Sequence, residues 1–140
     1  MPLVGGGGAG NVAGGNPSGT GTSLNYVGDH CYAYSGSIAI TSQVQTMLNF
    51  NTGNTYSMVR IQTGVTQGGG GAQSDDIETV VTLNSEVVIS RMLSHNNESG
   101  QLTTINLLIP PYSSLLVTCD NIQGTTSTPT QVTLSGRVYA

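Results

Sequence analysis

Leu107-Leu108-Ile109-Pro110-Pro111-Tyr112-Ser113-Ser114-Leu115-Leu116-Val117-Thr118-Cys119 is an apolar run, a double proline, a short polar corner and a second apolar run. Pro110 and Pro111 lack a backbone N–H and cannot sit inside a central ladder. They end one strand and start the corner before the next. Beyond the corner the pattern has a period of two. Leu115, Val117 and Cys119 point one way, and Leu116 and Thr118 point the other. The stretch predicts a strand–corner–strand unit late in an all-β domain.

Moving outward, the same rhythm recurs. Tyr32, Tyr34, Gly36, Ile38 and Ile40 alternate with Ala33, Ser35, Ser37 and Ala39. Val44, Thr46, Leu48 and Phe50 share one face if Val44–Phe50 is a strand, while Val44, Met47 and Leu48 also fit a helical turn, and the pattern admits both. After the turn signal Asn51-Thr52-Gly53-Asn54, the run Tyr56–Val65 places Val59, Ile61, Thr63 and Val65 inward. Ile77–Leu83 and Val87–Leu93 are joined by Asn84-Ser85, a two-residue turn candidate without the usual glycine. Gln131–Tyr139 closes the chain with Val132, Leu134, Gly136 and Val138 inward. These eight strands predict an all-β fold, a single antiparallel β-sandwich of eight-stranded jelly-roll type.

The 140 residues suit one domain and one core. The division expected is a Gly-rich arm over residues 1–24, flexible or ordered by a partner, and a sandwich over 25–140. Nine of the twenty glycines fall in that arm, and its only sizeable apolar residues before Leu24 are Met1, Leu3, Val4 and Val12. It cannot offset its own ordering entropy without a neighbour.

Charged residues make up 7% of the chain, against about 25% in a typical protein. There is no Lys, and the cations are Arg60, Arg91 and Arg137. Interface cores are depleted in charge, so this composition suits either a surface covered by partners or an extracellular protein solubilised by neutral polar groups. A net charge of −4 argues against a nucleic-acid partner, which needs clustered cations. No apolar stretch reaches membrane-spanning length, and no secretory signal is evident, so neither a membrane partner nor secretion is expected.

No constellation carries chemistry. Gly5–Gly10 matches G-x-G-x-x-G only because any glycine run does, and no strand or helix pattern flanks it. Cys31 and Cys119 allow one bridge or two separate buried thiols. His30, His95 and Glu98 lack metal-ligand spacing. Adjacent strand residues diverge, which separates His30 from Cys31. Asp75-Asp76 lacks the oxygen ladder of a calcium loop. Catalytic, cofactor and metal residues are therefore expected to be none. Tyr26 and Tyr112, with Leu3, Val4 and Val12 of the arm, are the candidate interaction residues, because tyrosine anchors interfaces.

Three segments carry a resemblance. Leu48–Tyr56 is similar to the L-x-F-x-T-G-x-x-Y segment of small jelly-roll virion proteins of tailed bacteriophages. Ile109–Val117 resembles their I-P-P-x-[ST]-x-[LV]-x-V segment, and Val132–Tyr139 resembles their last strand. The resemblance implies a non-enzymatic capsid decoration (cement), head or spike protein in the virion, made in the host cytoplasm. It also implies the major capsid protein or other virion subunits as partners, and a homo-oligomer, often a trimer. The alternative is a carbohydrate- or receptor-binding lectin-like module.

Overall fold

The structure is a computed structural model that describes residues 23–65, 75–95, 102–122 and 128–139. Leu3, Val4 and Val12 of the arm, the Gly68–Gly71 run and Glu98 lie outside the described residues.

Nine strands are present among the described residues: β1 (Asn25–Val27), β2 (His30–Ile40), β3 (Gln45–Asn51), β4 (Tyr56–Val65), β5 (Asp75–Leu83), β6 (Glu86–His95), β7 (Leu102–Ile109), β8 (Ser114–Asn121) and β9 (Thr128–Tyr139). The sequence predicts eight. The addition is β1, three residues long and too short to show a period. Every strand pairing is antiparallel. A five-stranded sheet runs β1-β2-β9-β4-β7, and a four-stranded sheet runs β3-β8-β5-β6. The chain is an all-β sandwich. Among the described residues there is no helix, so none is long and apolar enough to cross a membrane.

The core lies between the sheets. Ile40, Met47, Leu48, Ile61, Ile77, Val81, Ile109, Leu115, Val117, Val132 and Leu134 are fully buried. Each such side chain contributes about 1.5–3 kcal/mol relative to exposure. Leu24, at the end of the expected arm, is buried with them. One buried polar link also joins the layers. Thr79 Oγ1 on β5 donates to Thr63 Oγ1 on β4 at 3.1 Å, and Cys119 Sγ lies 3.4 Å from the same hydroxyl.

Three strand pairs carry a register shift, the third between Val81 and Thr82 against β6, and in β2 and β3 the bulge changes which residues face inward. In β2, Cys31, Ala33 and Ser35 are buried, while Tyr32 and Tyr34 turn outward. At Gly36 the backbone takes φ 74°, and the register against β9 shifts between Gln131 and Thr133. The inward face therefore changes parity, and Ile40 is buried beyond it. The expected common face for Tyr32, Tyr34, Ile38 and Ile40 is corrected accordingly. The bulge frees the Val132 N–H, which donates to Ser35 Oγ at 2.9 Å. In β3 the register shifts between Thr46 and Leu48, so Met47 and Leu48 are both fully buried. That bulge puts two neighbouring apolar residues inside, which is why the sequence there also reads as a helical turn.

Candidate functional site

The proline corner is built from two distant pieces of chain. Thr52, between β3 and β4, is buried, and its N–H donates to the Ser113 carbonyl at 2.8 Å. The Ser113 N–H donates to Thr52 Oγ1 at 2.9 Å, and the Thr52 hydroxyl lies 3.2 Å from the Pro110 carbonyl that accepts from it. The Tyr112 N–H donates to the Gly53 carbonyl at 2.7 Å. The β5–β6 turn joins the same corner. Asn84 donates its N–H to the Ser114 carbonyl, and its Oδ1 accepts from the Ser114 N–H, both at 2.9 Å. Asn84 and Ser85 have φ of 52° and 71°, the left-handed pair of a type I′ hairpin.

This network presents Tyr112. Its φ is 56°, a left-handed value that costs a non-glycine residue about 1–2 kcal/mol, and its side chain is 78% exposed. Tyr26, the other expected interaction tyrosine, is placed differently. It pairs with Cys31 and packs half-buried on the core. Burial pushes its hydroxyl pKa up, and the neighbouring Cys31 adds to the rise.

The larger exposed surface is the outer face of the five-stranded sheet. Cross-strand register places side chains in rows across it. One row is His30, Arg137, Met58 and Leu108, and the next is Tyr32, Ser135, Arg60 and Asn106. A third holds Tyr34, Thr133, Gln62 and Thr104. The Tyr32 and Tyr34 rings lie 5.2 Å apart. Between the first two rows is a shallow open depression of about 320 Å³, lined by Met58, Val59, Arg60, Asn106 and Ser135. Arg137 donates to Asp29 Oδ2 at 2.8 Å and sits 5.8 Å from the Tyr139 ring. Arg60 makes no ion pair among the described residues.

Most of the acids sit on the other layer. Five of the seven carboxylates (Asp75, Asp76, Glu78, Glu86 and Asp120) lie on β5, β6 and β8. Glu78 and Asp120 are direct cross-strand partners, and Glu78 Oε2 accepts from the Ser90 hydroxyl at 3.2 Å. Burial pushes the Asp120 carboxyl pKa up, and the Glu78 charge and a hydrogen bond with Glu78 push it further.

Sequence reasoning singled out Tyr112 and missed Arg60, Asn106 and Ser135. These three lie on three different strands, and only the register brings them together.

The expected separation of His30 from Cys31 holds. His30 is exposed with Nδ1 3.2 Å from Asp29, while Cys31 is buried. Cys31 and Cys119 are free thiols, each pushed up to about 11 by burial. No group of three or more His, Cys, Asp or Glu side chains that could hold a metal ion occurs among the described residues.

No protein-family model matches the chain, and no curated protein matches it. Among solved structures it is similar to the insecticidal delta-endotoxin Cry8Ea1 from Bacillus thuringiensis, with 12% identity over 71% of this chain and 19% of that chain, at a TM-score of 0.42. It is also similar to an arabinose-bound MgGH51 α-L-arabinofuranosidase, with 15% identity over 78% of this chain and 17% of that one, at a TM-score of 0.33. A third similarity is to a family 35 carbohydrate binding module from an environmental isolate, with 16% identity over 90% of this chain and 77% of that module, at a TM-score of 0.34. The chain spans less than a fifth of the length of the toxin and of the glycosidase.

Proposed function

We propose that the protein is a non-enzymatic virion structural protein that decorates a capsid exterior and bridges neighbouring subunits as a homo-oligomer. We read its winding, with β2-β9-β4-β7 facing β3-β8-β5-β6, as a jelly-roll. One observation carries the contact-making role. β6 is the edge of the four-stranded sheet, ten residues long, and it exposes Val87 (64%), Val88 (44%) and Met92 (46%). It has neither proline nor lysine, and its guards against pairing are the charges of Glu86 and Arg91 and the register shift opposite Val81 and Thr82. Exposed apolar side chains along a long edge strand of a charge-poor chain suit a surface that is covered in the working state. The virion as its setting rests on the resemblance of the Leu48–Tyr56 and Ile109–Val117 segments. Thr52 and Ser113, one from each segment, are hydrogen-bonded to each other.

The test is sedimentation of the purified chain, alone and with expanded capsid shells of its own virus. The expected result is a homo-oligomer, a trimer, that co-sediments with the shells. A Val87→Lys, Met92→Lys double variant with an unchanged β spectrum should lose both properties. A wild-type chain that stays monomeric and leaves the shells bare overturns the proposal.

A further inference from the structure

We propose that the outer face of the five-stranded sheet binds a carboxylated sugar, with the Arg60 guanidinium holding the carboxylate. This site lies on the layer opposite the β6 edge and does not depend on the virion reading.

Arg60 opens into the 320 Å³ depression, a volume at the small end of ligand sites and suited to one sugar ring. Its register neighbours are Ser135 on β9 and Asn106 on β7, with Tyr32 beyond Ser135 on β2. Arg137, the other arginine of this sheet, is paired with Asp29, so among the described residues Arg60 is the cation of this face without an ion pair. No Asp or Glu occurs in the strands of the five-stranded sheet. An exposed guanidinium without an acid beside it is a planar fork open to a bidentate carboxylate.

The rest of the lining selects the ligand further. The Ser135 hydroxyl and the Asn106 amide each donate and accept, which matches sugar hydroxyls. Met58 offers an apolar wall for the C–H face of a ring. One cation without an ion pair among the described residues is too little for a nucleic-acid backbone, whose binding requires several neutralised phosphates. A carboxylate next to hydroxyls on a ring, as in a hexuronic acid, satisfies charge, hydroxyl and apolar groups together.

The experiment is titration calorimetry of the full chain with short oligogalacturonides, neutral galacto-oligosaccharides of equal length, and polyglutamate. Oligogalacturonide should bind, and the neutral sugar and polyglutamate should each bind at least about tenfold more weakly. Arg60→Gln should weaken oligogalacturonide binding about tenfold, and the charge-matched Arg91→Gln on the other layer should leave it unchanged. If Arg60→Gln loses its near-ultraviolet circular dichroism, Arg60→Lys replaces it. That variant keeps the charge without the fork and should bind several-fold more weakly. The proposal is overturned by equal affinity for the neutral sugar or for polyglutamate, by equal losses in Arg60→Gln and Arg91→Gln, or by no binding at millimolar ligand. It is also overturned if Arg60→Gln abolishes self-association in a chain that binds no sugar. In that case the face takes the acidic layer of a second copy.

Discussion

Thr52 does more for the architecture than its size suggests. Its backbone and hydroxyl satisfy both polar backbone groups of Ser113 and reach the Pro110 carbonyl. The two prolines end β7, and Thr52 holds the corner against the β3–β4 loop. Replacing it with valine keeps the shape and leaves the buried Ser113 N–H without a partner. Thr52→Val should cost about 2 kcal/mol, read from the midpoint of chemical denaturation at unchanged slope. The cross-corner bonds were not legible in the sequence. Pro110 and Pro111 announced a corner because proline acts on its own backbone. Thr52 gave no local sign, since its partners lie about 60 residues away. The same limit applies to Arg60, whose meaning depends on strands that only tertiary pairing brings beside it.

At the scale of elements, periodicity located most strands and failed where bulges intervene. β8 and β9 alternate as the sequence predicts, with Leu115, Val117, Val132 and Leu134 fully buried. In β2 the bulge at Gly36 reverses the inward face, and a strict period of two cannot register an inserted residue. The Asn84-Ser85 turn was legible despite lacking glycine, because two residues separated two alternating runs. The pairing of β5 with β8 also creates a cost that the sequence hides, by setting Glu78 against Asp120. An acid whose pKa rises on folding is favoured in its protonated form by the native state. Its contribution to stability is present at low pH and is lost as pH rises through the folded-state value. Asp120→Asn should therefore stabilise the protein at neutral pH by about 0.5 kcal/mol, the scale of one like-charge cross-strand pair. The gain should vanish in acid, as thermal melts at pH 3 and pH 7 would show.

At the scale of the molecule, the two thiols report on the core as a whole. Cys31 belongs to the five-stranded sheet and Cys119 to the four-stranded sheet, and both are buried and pushed up to about 11 from 9.0. The unfolded chain releases these protons first as the solution becomes alkaline. The stability they contribute is whole below about pH 9 and declines as pH rises toward 11. A thiol reagent at neutral pH should leave the native protein unmodified. It should label both cysteines at one common rate in moderate denaturant, because exposing either requires the sandwich to open. Unequal rates, measured by peptide mass mapping, would show that one sheet opens without the other. Composition alone suited one domain, with either a partner-covered surface or an extracellular setting. It was silent on how charge divides between layers, since Asp75, Asp76, Glu78, Glu86 and Asp120 gather on the four-stranded sheet, with Arg91 among them, only on folding.

The antiparallel pairing of β2 with β9 also has a mechanical meaning. His30, which starts β2, lies opposite Arg137, near the end of β9. Traction applied through Val27 and Tyr139 therefore arrives at one end of that ladder. It loads the hydrogen bonds one after another, as a zipper opens. Traction through His30 and Thr128, at opposite ends of the same ladder, would load the row together in shear. Held by Val27 and Tyr139, the domain yields at low force, so a tether at this end of the sheet makes it the weak link of an assembly under strain.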